Sequence, residues 1–157
     1  MRRFETVCRV RHSAENMFAL VANVETYPQF VPLCEGLNIR ARAPAADGSE
    51  VLTCDMTVGY KAIQETFTSE VTLQPQARRI LVSYVSGPFR SLDNRWTFRP
   101  QPDGGCEIDF FIAYEFRSMA FQLLAGAVFD RAFAKFVDAF RTRADDVYGA
   151  ENPGKNP

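Results

Sequence analysis

CEIDFFIAYEFRSMAFQLLAGAVFDRAFAKFVDAFRTRADDVYG, residues 106 to 149, changes its apolar period part-way along. From Cys106 through Ile108, Phe110, Ile112 and Tyr114 to Phe116 every second residue is apolar, with Glu107, Asp109 and Glu115 on the other side. That is the alternation of a half-buried strand. After Arg117 the spacing becomes three and four. Phe129, Phe133, Phe136, Phe140, Ala144 and Val147 make one stripe, and Arg131, Lys135, Asp138, Thr142 and Asp145 the opposite one, as in an amphipathic helix. The strand spans about 40 Å at ~3.3 Å per residue, and a helix to Tyr148 roughly 45 Å at 1.5 Å per residue. Strand and helix therefore match in length, and Gly149 ends the helix.

Working outward, residues 3 to 11 read as a first strand, and Ser13 as the N-cap of a helix over Ala14 to Ala22. Alternating segments follow at 37 to 43, 50 to 60, 62 to 74, 79 to 86 and 90 to 99. Their connections carry turn chemistry, as in Ala46-Asp47-Gly48-Ser49, Gly87-Pro88 and Pro102-Asp103-Gly104-Gly105. Leu52, Cys54, Met56 and Val58 share one face, as do Leu92, Trp96 and Phe98. The sum is an α+β fold: a curved antiparallel sheet of about seven strands wrapped around a long C-terminal helix. Residues 1 to 149 read as one domain, and the tail ENPGKNP, 150 to 157, is expected not to order.

With 46% hydrophobic and 24% charged residues and a net charge of -1, the composition is globular and argues against a DNA-binding protein that works by phosphate neutralisation. The N-terminus alternates as a strand and has no apolar leader. The longest uncharged run, Ser118 to Phe129, is 12 residues, short of the ~20 needed to span a bilayer. Cys8, Cys34, Cys54 and Cys106 are far apart, and there is one histidine, so no zinc site is expected. Reduced cysteines buried as small hydrophobes suit a cytoplasmic compartment.

Two segments raise a question about apolar surface. Extending the polar stripe of the helix toward its N-terminus lands on Ala127, Leu124 and Ala120, so the first half of the helix has no wet face. Another part of the chain covers it, or it flanks the opening of a cavity, or it meets a membrane or partner. The obvious internal cover is YPQFVPLCEG, residues 27 to 36. This is a loop by its prolines and glycine, yet it carries Tyr27, Phe30, Val31 and Leu33. Eight of the fourteen phenylalanines fall between Phe110 and Phe140. They either fill an aromatic core or leave an apolar pocket between helix and sheet.

Catalytic signatures are missing: there is no G-x-S-x-G, P-loop or dinucleotide fingerprint. His12 stands alone at the end of the first strand, and a lone histidine of this kind reads as structural. Glu65 and Asn94 interrupt apolar faces, and each needs a hydrogen-bond partner there, with each other, with Arg95 or Lys61, or with a ligand headgroup. Arg40, Arg42, Arg78, Arg79, Arg95 and Arg99 point away from the core and form a solvated face, or one that meets anionic lipid or RNA.

YPQFVPLC (27 to 34), GPFRSLDNRWTF (87 to 98) and residues 114 to 149 resemble the coenzyme Q-binding START-domain family, within the helix-grip START and polyketide-cyclase superfamily. That family includes a mitochondrial coenzyme Q chaperone and a bacterial ribosome association toxin. The resemblance implies a deep apolar cavity, ubiquinone or a related isoprenoid quinone as bound ligand with no covalent cofactor, and a respiratory role without catalysis. It also implies transient contact with a membrane surface, at the cytoplasmic side of the inner membrane. The toxin branch carries the same motifs, and through it the ribosome is the alternative partner. Carried over residue by residue, the resemblance places Tyr27, Pro28, Phe30, Val31 and Pro32 at the cavity mouth, and Trp96, Phe110, Phe116, Leu124, Phe129 and Phe133 on its wall. Leu33 stands where many relatives carry tryptophan, so the resemblance does not extend to an interfacial anchor at that position.

Overall fold

The period-two segments pair into one seven-stranded antiparallel sheet in the computed structural model, which describes residues 1–149. The tail expected not to order lies outside the described residues. In chain order the elements are β1 (Arg2–Val10), α1 (Ala14–Ala22), a 3₁₀ turn (Val24–Gln29), β2 (Cys34–Pro44), β3 (Glu50–Tyr60), β4 (Ile63–Gln74), β5 (Arg79–Ser86), β6 (Phe89–Pro100), β7 (Cys106–Phe116), α2 (Met119–Ala134) and α3 (Phe136–Tyr148). The sheet order is β1-β7-β6-β5-β4-β3-β2. β2 to β7 form a meander, and only β1, which enters beside β7, is out of sequence. The fold is the α+β helix-grip expected from the sequence.

Alternation decides the faces. Cys106, Ile108, Phe110, Ile112, Tyr114 and Phe116 of β7 are all buried, and Leu52, Cys54 and Val58 of β3 and Leu92, Trp96 and Phe98 of β6 are buried on the same concave side. Ser13 caps α1, its Oγ accepting from the Asn16 N–H at 3.1 Å. Ser118 caps α2, accepting from Phe121 at 3.2 Å. Phe18 of α1 meets Phe98 edge-on, with ring centroids 6.0 Å apart, so α1 seals one end of the groove.

The C-terminal helix is not continuous, contrary to the expectation of one uninterrupted rod. The Lys135 N–H bonds the Ala132 carbonyl at 3.0 Å, a three-residue turn, before α3 starts at Phe136. No proline or glycine marks this break. Phe133 and Phe136, three apart across it, meet at 5.1 Å, and both turn toward the sheet.

One carboxylate ties α2 down. Asp130 accepts from the Tyr114 hydroxyl at 2.7 Å and from Arg2 Nη1 at 2.8 Å. A single side chain thus links α2 to β7 and β1. Burial, then the bond to Asp130, holds the Tyr114 phenol well above its ordinary range.

The β5–β6 turn illustrates how tightly the strands close. Gly87 has φ of 143°, and a Cβ there would lie 2.5 Å from the Phe67 Cβ and 3.0 Å from its Cα. Neither the backbone angle nor the space admits a side chain. Gly87→Ala is expected to destabilise the protein by about 1–3 kcal/mol, lowering the thermal midpoint by roughly 2–12 °C. An unchanged melting temperature by circular dichroism contradicts this account of the turn.

Candidate functional site

α2 rests on β7 and β1, so the helices lie toward one side of the concave sheet. The remainder of the concavity, over β2 to β6, holds an apolar cavity of about 80 Å³. Its sheet wall includes Leu37, Met56, Val58, Phe67, Val71, Ile80, Val82, Phe89, Leu92 and Trp96. Phe129, Ala132, Phe133, Phe136 and Phe140 form the helical wall, and Val24, Tyr27, Pro32 and Leu33 close it from the loop. The free space admits several water molecules, at ~10–15 Å³ of accessible volume each. The deep cavity implied by the resemblance is therefore narrow, because the aromatic rings of helix and sheet occupy much of it. Tyr114 and Phe133 sit 5.0 Å apart, and Trp96 and Phe140 5.1 Å.

A second, smaller crevice opens between the β3–β4 hairpin and α2, lined by Gly59, Tyr60, Ile63, Ala125 and Val128. It shares Val58 and Phe129 with the cavity, so a single layer of side chains separates the two. Just outside it, Met119, Leu123 and Leu124 of α2 are 75%, 81% and 70% exposed. The wet face missing from the sequence of α2 is thus left uncovered among the described residues. The expected internal cover goes elsewhere: Tyr27 and Phe30 stack edge-on against Phe140 of α3, at 5.2 and 5.0 Å.

Of the residues that the sequence placed around the cavity, Tyr27, Pro32, Trp96, Phe129 and Phe133 are on its lining, and Pro28, Phe30, Val31, Phe110, Phe116 and Leu124 are not. Pro28 lies inside the 3₁₀ turn, Phe30 packs between Phe140 and the Arg143 guanidinium, and Val31 is buried beneath the loop. Phe110 and Phe116 are on the inner face of β7, where α2 and α3 cover the sheet directly. Phe110 meets Phe136, and Phe116 meets Phe121 and Phe129. Leu124 is five residues from Phe129, about 140° around the helix at 100° per residue, and faces out when Phe129 faces in.

The polar residues of the lining are few. The Tyr27 hydroxyl donates to the Val21 carbonyl at 2.5 Å, and burial raises its pKa. Asn94 Nδ2 donates to the Phe111 carbonyl at 2.9 Å, and its Oδ1 accepts from Trp96 Nε1 at 3.3 Å. Asn94 is thus paired with neither Glu65 nor Arg95. Cys54 and Ser69 complete the set. Sequence reading did not single out Ser69, although the run Phe67-x-Ser69-x-Val71-x-Leu73 shows a hydroxyl on an apolar face. Glu65 is half-buried and off the lining, and His12 is buried outside the cavity with Nε2 2.7 Å from Asp145 Oδ1. Of the six expected surface arginines, Arg40, Arg42, Arg78, Arg95 and Arg99 are each ion-paired with an acidic residue, and Arg79 bonds Gln74. The sheet surface is therefore mixed in charge rather than cationic.

A curved antiparallel sheet gripping C-terminal helices around an apolar cavity defines the START-like, helix-grip class of proteins. The chain belongs to the family described as polyketide cyclase / dehydrase and lipid transport, whose model matches residues 10–141. It is 37% identical over 141 residues to the ribosome association toxin RatA of Escherichia coli, covering 90% of this chain and 85% of that one. It is 30% identical over 134 residues to the mitochondrial coenzyme Q-binding protein COQ10 of Drosophila melanogaster, covering 83% of this chain and about half, 53%, of that one. An 18 kDa protein of Caulobacter crescentus, solved in solution, superposes with a TM-score of 0.77 at 29% identity, over 96% of this chain and 100% of that one. The Zhui aromatase/cyclase of a Streptomyces species shares the fold, with a TM-score of 0.77 at 18% identity, over 95% of this chain and 96% of that one.

Burial pushes the Cys54 thiol up to about 11 and that of Cys34 likewise to about 11, from an ordinary value of 9.0. The folded state therefore keeps protons that the unfolded chain releases above about pH 9. Their contribution to stability is complete below pH 9 and falls away as pH rises toward 11. Urea denaturation is expected to show stability falling between pH 9 and pH 11, less steeply in Cys54→Ala than in the wild type. Equal pH dependence in the two contradicts the assignment.

Proposed function

We propose that the protein binds an isoprenoid lipid of the ubiquinone class without covalent attachment and carries it to and from a membrane in support of respiratory electron transport. The observation that carries this reading is exposed apolar surface beside a lined interior: Met119, Leu123 and Leu124 stand out from α2, and the crevice between α2 and the β3–β4 hairpin is divided from the cavity only by Phe129 and Val58. Large exposed apolar side chains in a row mark a contact surface. Arg117, Arg131 and Lys135, which border the ridge on α2, have no acidic partner among the described residues, and suit an anionic bilayer at the cytoplasmic side of the inner membrane.

A prenyl tail hiding ~300 Å² of apolar area gains about 7 kcal/mol before association costs. Because the free space is about 80 Å³, entry requires α2 to move outward. Its anchorage favours that: its polar ties to the sheet are Asp130, to Tyr114 and Arg2, and Gln122, to Arg2, and the turn at Lys135 separates it from α3. The reading is of a binder and not a cyclase. His12 and Glu65, the candidate acid–base groups of the chain, are both off the cavity lining, and His12 is engaged by Asp145.

A second reading, docking on the large ribosomal subunit, draws on the likeness to RatA. With the sheet arginines already paired, the contact falls to Arg131 on α2 and to Arg117 and Lys135 just beyond its two ends. It predicts co-sedimentation with ribosomes that falls steeply as salt rises, because phosphate contacts release counterions. No ribosome signal at low salt eliminates it.

For the lipid reading, protein purified from a quinone-making host is expected to carry quinone in native mass spectra. Leu123→Glu with Leu124→Glu is expected to slow quinone pick-up from phosphatidylcholine/phosphatidylglycerol vesicles at least tenfold, since two exposed leucines lose their burial in lipid. Uptake from detergent micelles should stay near wild type. Protein that neither retains quinone nor takes it up refutes the carrier.

A further inference from the structure

Ser69 is the unsatisfied polar group of the cavity wall. The residue is 5% exposed and lines the cavity, yet its Oγ has no hydrogen-bond partner among the described residues. The other polar lining groups are accounted for: the Tyr27 hydroxyl is bonded to Val21, the Asn94 amide is held by Phe111 and Trp96, and Cys54 is a protonated thiol. Buried hydroxyls are normally paired, because an unpaired one forfeits its hydrogen bonds to water.

The local backbone aims Ser69 inward. Thr68 pairs with Ser86 and Ser69 with Tyr84, so Val85 is an extra residue on β5, and the ladder is bulged at this point. On β4 itself the pairing with β3 stays regular, so Ser69 faces inward with Phe67 and Val71 by alternation. Here Phe67, Thr68 and Ser69 are buried in succession. Thr68 turns outward to Asp55 at 2.6 Å and Arg40 at 3.2 Å, which leaves Ser69 to face the cavity across from Cys54. Asn94 is on the same wall two strands away and two residues further along, about 11–12 Å from Ser69 by the spacing and rise of paired strands, and its pairing partner Val82 of β5 is also on the lining. Its two protein contacts use one N–H and one lone pair of the amide, so a second N–H remains.

We propose that Ser69 and Asn94 are the polar subsite that fixes the ring end of the ligand. Each donates a hydrogen bond to one of two oxygens on opposite sides of a ring, while the tail lies toward the crevice. The ligand class is a ring bearing carbonyl or ether oxygens, as in a substituted quinone. The inference rests on the lipid-binding reading above and adds which end enters and what holds it.

Trp96, the sole tryptophan of the chain and a lining residue, reports occupancy. Quenching of its fluorescence by decylubiquinone gives one affinity, and competition by decylbenzene, with the same tail and no oxygen, gives another. Ser69→Ala is expected to weaken decylubiquinone roughly three- to tenfold, the range of one neutral hydrogen bond, and to leave decylbenzene unchanged. Its melting temperature is expected to equal or exceed that of the wild type, because no intramolecular bond is lost. Ser69→Thr, which keeps the hydroxyl, should retain the preference for the quinone. Equal decylubiquinone affinity in Ser69→Ala and wild type, equal loss for both ligands, or a lowered melting temperature overturns the subsite. Wild-type protein that binds neither compound removes the lipid reading itself, and this inference with it.

Discussion

A sheet that is apolar across its whole concave face must be covered, and two helices laid end to end are narrower than the surface they cover. That mismatch governs the molecule. A helix with its side chains is about 10–12 Å across, whereas seven strands at ~4.8 Å spread to roughly 30 Å before curvature. The sheet reduces the difference by curling, and α1 and the 3₁₀ turn close one end and one flank. What remains over β2 to β6 is filled mainly by rings: Phe67, Phe89, Trp96, Phe129, Phe133, Phe136 and Phe140. Rings packed at edge-to-face distances fill space well but leave gaps between their rigid planes, and the cavity is what they leave.

The same constraint explains where polarity is tolerated. Over β7 and β1, where α2 lies directly on the sheet, a carboxylate is admitted because Asp130 finds Tyr114 and Arg2 together. Over β6, on the cavity wall, Asn94 finds its partners within the sheet, in Phe111 and Trp96. Ser69 finds none. On the convex side the arginines are matched with acids strand by strand, as Arg40 with Asp55 and Arg99 with Glu107 and Asp109. This removes the large positive field that an arginine count alone suggests. The most exposed leucines among the described residues, Leu123 and Leu124, fall on α2, as does Arg131, which has no acidic partner among them.

The fold accommodates proteins named for coenzyme Q binding, for ribosome association and for aromatase/cyclase activity. One architecture serves them because the grip supplies a lined interior and an exposed helix, and small changes decide which of these is used. In this chain the interior has little polar chemistry, and α2 presents leucine and methionine to the outside.

The alternation of residues 106 to 116 and the helical spacing after Arg117 determined the fold from sequence. Each element signals its buried face by its own period, so the seven strands, the inward rows on β3, β6 and β7, the serine cap at Ser13 and the stop at Gly149 were legible one element at a time. The unpolarised face of α2 was legible in the same way. Only the tertiary structure decided which inward residues meet empty space and which meet another side chain, because that depends on where the helices lie across the sheet. Phe110 and Trp96 read alike in sequence; one is covered by α3 and the other faces the cavity. The break at Lys135, the swing of Tyr27 and Phe30 toward Phe140 and the partners of His12 and Asp130 likewise join residues far apart in the chain. Local periodicity carries no information about such distant contacts, and the site is made of them.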